Sequence, residues 1–407
     1  MFSTEKLYGV SGNALETGYT SISNNTFDDK TPFDSDLILQ GSSEWLSNEN
    51  EFVTLNQSSS SNGVFSDAEV EIDFNGDGKN DKFWRNTQTG ETAIWLMDGI
   101  NPNAETLQQV DASWDVGFAD FNSDNKTDIF WRNQASGENV VWQMDGTNIN
   151  SEETIQKIDS NWTFSIAEFN GDRKSDILWR NIETGENAAW IMDGNNVTIA
   201  AFLPTTDLIW DYSITDFNND GKTDVFWRNT VTGENAAWFM DGTNANGFAV
   251  QEIDVSWNPT FGDFNGDSRT DILWSNQASG ENEVWVMNGT LFSDIIFNEE
   301  TLDQLSSAWS ANVGDFNADG KTDIFWHNTE TGENTAWLMN GGNILTKAFL
   351  PSNELTWELS FGDFTGNGKT DVFWRNSSTG GTAIWMMDGT IAEGEYLPTN
   401  DPSLSVF

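Results

Sequence analysis

The chain has 407 residues, with 65 acidic side chains against 18 basic ones and a formal net charge of -47. That balance repels nucleic-acid phosphates and excludes a DNA- or RNA-binding role. The absence of cysteine excludes disulfides, thiolate metal sites and cysteine nucleophiles, while 21 Trp and 28 Phe supply the bulk for a large core despite a mean hydropathy of -0.50.

The first thirty residues show neither a basic start nor a continuous apolar core, so no Sec-type signal peptide is expected. No run approaches the roughly 20 apolar residues of a membrane helix. Residues 1–60 lack the pattern that fills the rest of the chain and include the polar stretch NQSSSSNG at 56–63. They read as a partly disordered leader, with EFVTL at 51–55 as a candidate strand. Residues 61–407 read as one repeat-built body.

A loop start recurs at Asp73, Asp120, Glu168, Asp216, Asp263, Asp315 and Asp363, with spacings of 47, 48, 48, 47, 52 and 48 residues. One Trp follows each start by eleven residues (Trp84, Trp131, Trp179, Trp227, Trp274, Trp326, Trp374) and another by twenty-two (Trp95, Trp142, Trp190, Trp238, Trp285, Trp337, Trp385). A third column precedes the loop by six residues in every copy but the first, from Trp114 to Trp357. Rings repeated in every copy suit interlocking packing better than a sugar platform, which needs only a few. The third column, near polar turns, is where exceptions are expected.

Each copy supplies one strand before the loop, two after it joined by a glycine turn, and a weaker fourth such as TIQKI at 154–158 or AAFLP at 200–204. The middle strands are apolar on both faces, as in Val225, Phe226 and Trp227, which requires cover on both sides. Four short strands at this period predict an all-β fold, a seven-bladed β-propeller of four-stranded antiparallel blades, in preference to a parallel β-helix or an open array. Copy one has a weak first strand around VFSDAEVEI, so the C-terminal residues are expected to pair nearby and latch the ring. The extra residues near LFSDIIFNEE at 291–300 are expected to protrude.

In the fourth copy, Asp216, Asn218, Asp220 and Asp224 bring oxygens to alternate positions of a short loop. That spacing can wrap one hard cation, Ca2+. Asp and Asn also cap turns without any metal, but one spacing kept through most copies favours the ion.

The loop D-F-N-x-D-G-K-x-D followed by W-R-N and W-x-M-D-G resembles the FG-GAP and VCBS repeats, the family that includes the integrin α-subunit propeller. The resemblance covers residues 64 to about 400. It implies a propeller whose calcium loops join the first and second strands of each blade, with ligands at loop positions one, three, five and nine and a backbone carbonyl at seven. Copy one would then use Asp73, Asn75, Asp77, Asp81 and the Lys79 carbonyl; copy two Asp120, Asn122, Asp124, Asp128 and Lys126; copy four Asp216, Asn218, Asp220, Asp224 and Lys222. Copy five would use Asp263, Asn265, Asp267, Asp271 and Arg269, and copy six Asp315, Asn317, Asp319, Asp323 and Lys321. Copy three starts with the longer Glu168, beside Asn170, Asp172, Lys174 and Asp176. Copy seven offers Asp363, Thr365, Asn367 and Asp371, with fewer charges and a weak or empty site. Up to about six or seven Ca2+ ions are expected, holding blades in shape.

A basic column after the second-strand Trp (Arg85, Arg132, Arg180, Arg228, Arg375) is broken by Ser275 and His327. Its expected partners are Glu91, Glu138, Glu186 and Glu234 on the adjoining strand. One His, no Cys and no acid standing apart from a repeat column argue against catalysis, although paired carboxylates alone can cleave glycosides. The favoured function is an extracellular, calcium-binding adhesion or matrix module for a protein or glycan ligand, exported without a recognisable Sec signal. The alternatives are a polysaccharide-degrading enzyme (lyase or glycosidase) and a structural part of a surface assembly held by the leader.

Overall fold

A computed structural model describes residues 72–287 and 296–407. The expected leader, EFVTL, most of VFSDAEVEI and the start of the 291–300 connection lie outside the described residues. Seven four-stranded antiparallel sheets are present, and no helix occurs among the described residues. Blade two shows the plan: Trp114–Ala119, Asp128–Asn133, Asn139–Asp145 and Asn148–Ile155, hydrogen-bonded in that order. Blades three to seven repeat it, their first strands starting at Trp162, Trp210, Trp257, Trp309 and Trp357. First strands of adjacent blades approach one another, so they line the centre.

Alternation explains the packing. In the second strand of blade two, Trp131 points to one face of the sheet, Phe130 and Arg132 to the other. Trp131 meets Trp142, two positions along the third strand, with ring centroids 5.2 Å apart. The same Trp pair recurs in every blade at 4.7–5.4 Å. Phe130 and Val141 form the other face, and they pack on Trp179 and Trp190 of blade three. Each blade thus presents a tryptophan face to one neighbour and a Phe-aliphatic face to the next. The core consists of seven such interlocks, including one between Phe373 and Ile384 of blade seven and Trp84 and Trp95 of blade one. Both regular Trp columns are buried, whereas four of the six third-column rings (Trp114, Trp257, Trp309, Trp357) are only half-buried.

The fourth strands begin earlier than their apolar letters suggest. They run Asn148–Ile155 and Asn196–Leu203 instead of centring on 154–158 and 200–204. The cause is the tight turn ending W-x-M-D-G, where Gly146 at φ 62° sends the chain straight back along the third strand. This outer strand has solvent on one side and many polar residues, so its hydrophobic signal is faint.

The ring closes as expected. Leu404–Val406 takes the first-strand place of blade one against Lys82–Asn86. Phe407 donates its N–H to the Phe83 carbonyl at 2.8 Å and accepts from the Phe83 N–H at 3.2 Å. Its ring lies 5.9 Å from both Phe83 and Phe118. Replacing Phe407→Ala is therefore expected to cost about 1–3 kcal/mol, since the ring is only partly buried. Urea unfolding of the two forms measures it, and an unchanged midpoint would show the latch to be idle.

Candidate metal loops and their setting

Loops two to seven lie between the first and second strands of their blades, and loop one leads into the second strand of blade one, so all seven lie on one face of the wheel. Their backbones share an unusual alternation. Positions four and six are left-handed in every copy, held by glycine in some and by Ser123, Asn125, Arg173, Asn219, Ser268 and Ala318 in others. A non-glycine residue bears a cost there. The alternation turns successive N–H groups inward, forming a nest around an anion.

The anion is the loop's own first residue. Asp73 Oδ1 accepts from the N–H groups of Asn75, Gly76 and Asp77 at 3.3, 2.7 and 3.2 Å, and Oδ2 accepts from Gly78 at 2.8 Å. Asn75 Oδ1 accepts from Asp77, and Asp77 Oδ1 from Lys79. Asp120, Asp216, Asp263, Asp315 and Asp363 occupy equivalent nests. Glu168 reaches its nest as well, its Oε1 accepting from Asn170 and Gly171 at 2.9 and 2.6 Å.

The ninth-position acids, Asp81, Asp128, Asp176, Asp224, Asp271, Asp323 and Asp371, open the second strands and are at most 1% exposed. One oxygen of each accepts from the backbone N–H of the third-strand methionine, Met97 through Met387, at 2.8–3.0 Å. In the first six, the other accepts from the loop Phe N–H at 2.8–3.2 Å. These carboxylates thereby pin the loop to the sheet. Among the described residues none forms an ion pair with Lys or Arg. Burial pushes their pKa up to about 7, and to about 6 for Asp371, with the first-position acid adding to the rise.

Most seventh-position side chains reach beyond their own loop, although Lys79 also meets Asp77 of its own loop at 3.5 Å. Lys79, Lys126, Lys174, Lys222 and Lys369 pair with Asp98, Asp145, Asp193, Asp241 and Asp388 of the W-x-M-D-G turns at 2.5–3.0 Å. Arg269 and Lys321 instead meet Asp267 and Asp319 of their own loops. Among the described residues, no group of three or more His, Cys, Asp or Glu side chains forms a cluster that could hold a metal ion. The expected donor set also includes Asn amide and backbone carbonyl oxygens. Two observations bear directly on its fit to a cation: the side-chain oxygen of Asn317, at position three of loop six, and Oδ2 of Asp371, at position nine of loop seven, are buried without a hydrogen-bond partner.

The eighth position, which drew no attention in the sequence, ties the loops together. Thr127, Ser175, Thr223, Thr270, Thr322 and Thr370 each donate a backbone N–H to the first-residue carbonyl of the preceding loop at 2.5–3.2 Å. Thr127, Ser175, Thr223 and Thr370 also accept that residue's N–H on the side-chain oxygen. Asn80 does both for Asp363 across the ring seam, at 2.8 Å each. The only sequence signal was a column of small hydroxyl residues.

The arginine column does not bind the expected glutamates. Arg132 is fully buried and donates to Asn139 Oδ1 and to the carbonyls of Asp159 and Trp162 at 3.1, 2.6 and 3.0 Å. Arg180 and Arg228 do the same through Asn187 and Asn235. The fork thus fastens the connection leading into the next blade, and its plane lies 4.8–5.0 Å over that blade's Trp in four interfaces. Antiparallel register decides the partner, because Arg228 stands opposite Asn235, not Glu234. Glu138, Glu186 and Glu234 instead accept from the turn hydroxyls of Ser136, Thr184 and Thr232, and Glu91 accepts from Thr89. Arg375 does meet an acid, Glu358, at 3.0 Å.

The fold class is a seven-bladed β-propeller with equivalent loops on one face. A model of the FG-GAP-like repeat matches residues 73–131, 168–227, 216–274, 263–326 and 315–374, more than half of the chain, and the protein belongs to that family. No curated protein matches it significantly. Among solved structures it is similar to an Agrocybe aegerita lectin described as specifically recognising non-reducing terminal N-acetylglucosamine, at 14% identity and TM-score 0.64, covering 81% of this chain and 95% of that one. It is also similar to a post-proline cleaving enzyme from Rickettsia typhi, at 10% identity and TM-score 0.53, covering 80% of this chain and 53% of that one. The dihydro-heme d1 dehydrogenase NirN matches at 11% identity and TM-score 0.50, covering 84% and 77%. At such identities the likeness shows the fold alone.

Two outcomes are expected. Arg132→Lys keeps the charge but loses the fork, and should cost about 2–4 kcal/mol in urea unfolding by stranding buried acceptors. In a metal chelator, the ninth-position carboxyls hold their protons more tightly folded than unfolded, where their pKa is about 3.9. Their contribution to stability is therefore full below about pH 4 and lost as pH rises through about 7. Melting temperatures in chelator should fall across that window, and a rise would contradict the burial argument.

Proposed function

We propose that this propeller is a calcium-stabilised recognition module that works outside the cell and binds a protein or glycan without transforming it. The observation that carries the metal is the set of seven buried ninth-position carboxylates, without a Lys or Arg ion pair among the described residues. Each sits below other oxygen donors in a chain of net charge -47. An unneutralised buried carboxylate is costly, and a divalent cation above it offsets that cost and the mutual repulsion of positions one and five. The proposed ligands are the side-chain oxygens at positions one, three, five and nine with the carbonyl at seven, as in Asp73, Asn75, Asp77, Asp81 and Lys79. Bound calcium would supply charge and cross-linking, and no chemical step.

Recognition is the second half of the reading. A rigid wheel with equivalent loops and half-buried third-column rings offers broad surfaces on both faces, and the similar lectin fold supports a glycan as one kind of ligand. Millimolar extracellular calcium suits loops of moderate affinity. No helix among the described residues is long and apolar enough to cross a membrane.

Thermal unfolding with calcium and with chelator tests the metal. Each site filled at a hundredfold excess over its Kd adds about 2.7 kcal/mol, so a large, saturable rise in Tm is expected, smaller after Asp216→Ala. An identical Tm in both conditions would remove calcium. Incubation with polysaccharides should yield binding but no new reducing ends or unsaturated sugars, and their release would make the protein an enzyme.

A further inference from the structure

At the interlock between blades five and six the residue after the second-strand Trp is a serine, too short to fill the place that arginine or histidine takes in the other blades. In blades one to four an arginine follows the second-strand Trp and fills the space above the next blade's ring. In blade six His327 holds that place, bonded to Asn334 at 2.7 Å with its ring 5.9 Å from Trp374. Blade five has Ser275, opposite Asn282 in the register that sets Arg228 opposite Asn235. A serine cannot span the distance that Arg228 spans to the carbonyls of Asp254 and Trp257, both at 2.8 Å. The equivalent carbonyls, of Ser306 and Trp309, receive no guanidinium.

A cavity of about 610 Å3 opens at this place, on the face opposite the loops. Its volume falls within the roughly 300–1,000 Å3 of small-molecule sites. Ser275 lines it, is 8% exposed, and has a buried hydroxyl with no hydrogen-bond partner. Trp309 offers a half-buried ring, and Asn258, Gln277, Ser310 and Thr329 surround it with amide and hydroxyl groups.

We propose that this cleft is a binding site for a neutral pyranose, with the sugar's apolar face against Trp309 and its hydroxyls reaching Ser275 and the surrounding amides. Amides and hydroxyls both donate and accept, as sugar hydroxyls do, and a flat aromatic surface complements the C–H face of the ring. The one charged pair lining the cavity, Asp211 and Arg228, contributes opposite signs, which favours a neutral ligand over an ionic one. This assignment rests on the glycan branch of the proposed function and gives it a location and a ligand class.

The test is calorimetric titration of the full chain with methyl glycosides of glucose, galactose, mannose and N-acetylglucosamine. At least one should bind at a single site. Ser275→Arg would restore the column and fill the cleft, and Trp309→Ala would remove the platform; each should weaken binding about tenfold or more. Ser275→Arg should leave Tm unchanged or raised, which separates blocked binding from misfolding. Tyr396→Ser, on the rim of blade seven and 84% exposed, should bind as the parent does. Sugar binding that survives Ser275→Arg overturns the site while leaving a glycan-binding propeller elsewhere on the wheel. No heat from any of the four glycosides at millimolar concentration overturns the site and the glycan branch together.

Discussion

No blade of this protein can be buried by itself, and that constraint governs the rest. Each sheet is apolar on both faces, with a tryptophan pair on one and Phe with aliphatic residues on the other, and the two faces are complementary to each other and not to themselves. Head-to-tail stacking is the arrangement that covers them all, and a ring leaves no terminal face exposed. The arginine forks and the eighth-position residues then act at the same interfaces from opposite sides of the wheel. One fastens the connecting segment, the other chains loop to loop.

Much of this was legible in the letters. Two Trp columns at constant distance from a loop, with alternating strands between, are enough to specify blade number and core, because strand periodicity converts spacing directly into facing. The latch by residues 404–407 was equally readable, since the chain supplied six strong first strands and left one place to fill. Less legible were features that depend on pairing register. Arg228 binds Asn235 and not Glu234 because a single residue's offset in an antiparallel pair exchanges the faces. The starts of the outer strands were obscured for another reason: a strand with a solvated face need not look hydrophobic.

The loops divide similarly. Their acids were found from spacing alone, but spacing does not tell how each oxygen is engaged. The structure gives the first residue of each loop to a nest of N–H groups and anchors the ninth to the sheet through the methionine N–H, so these side chains shape the loop as well as offering oxygens to a cation. Every carboxylate oxygen has more than one lone pair, and the two roles are compatible. Copies three and seven depart least where the backbone does most: Glu168 and Asp363 fill the same nest despite different neighbours.

Making the final strand of the wheel from residues 404–407 has a consequence for biosynthesis. Neighbouring interlocks can form progressively as the polypeptide leaves the ribosome, each blade covering the one before it. Among the described residues, the aromatic surface of blade one around Trp84 and Trp95 gains its cover from blade seven, about 270 positions or more later in the chain. The leading face of each new blade waits only for the next blade, whereas this first face waits for the last one, and a chaperone or fast translation of the last blade would protect it where it is most vulnerable.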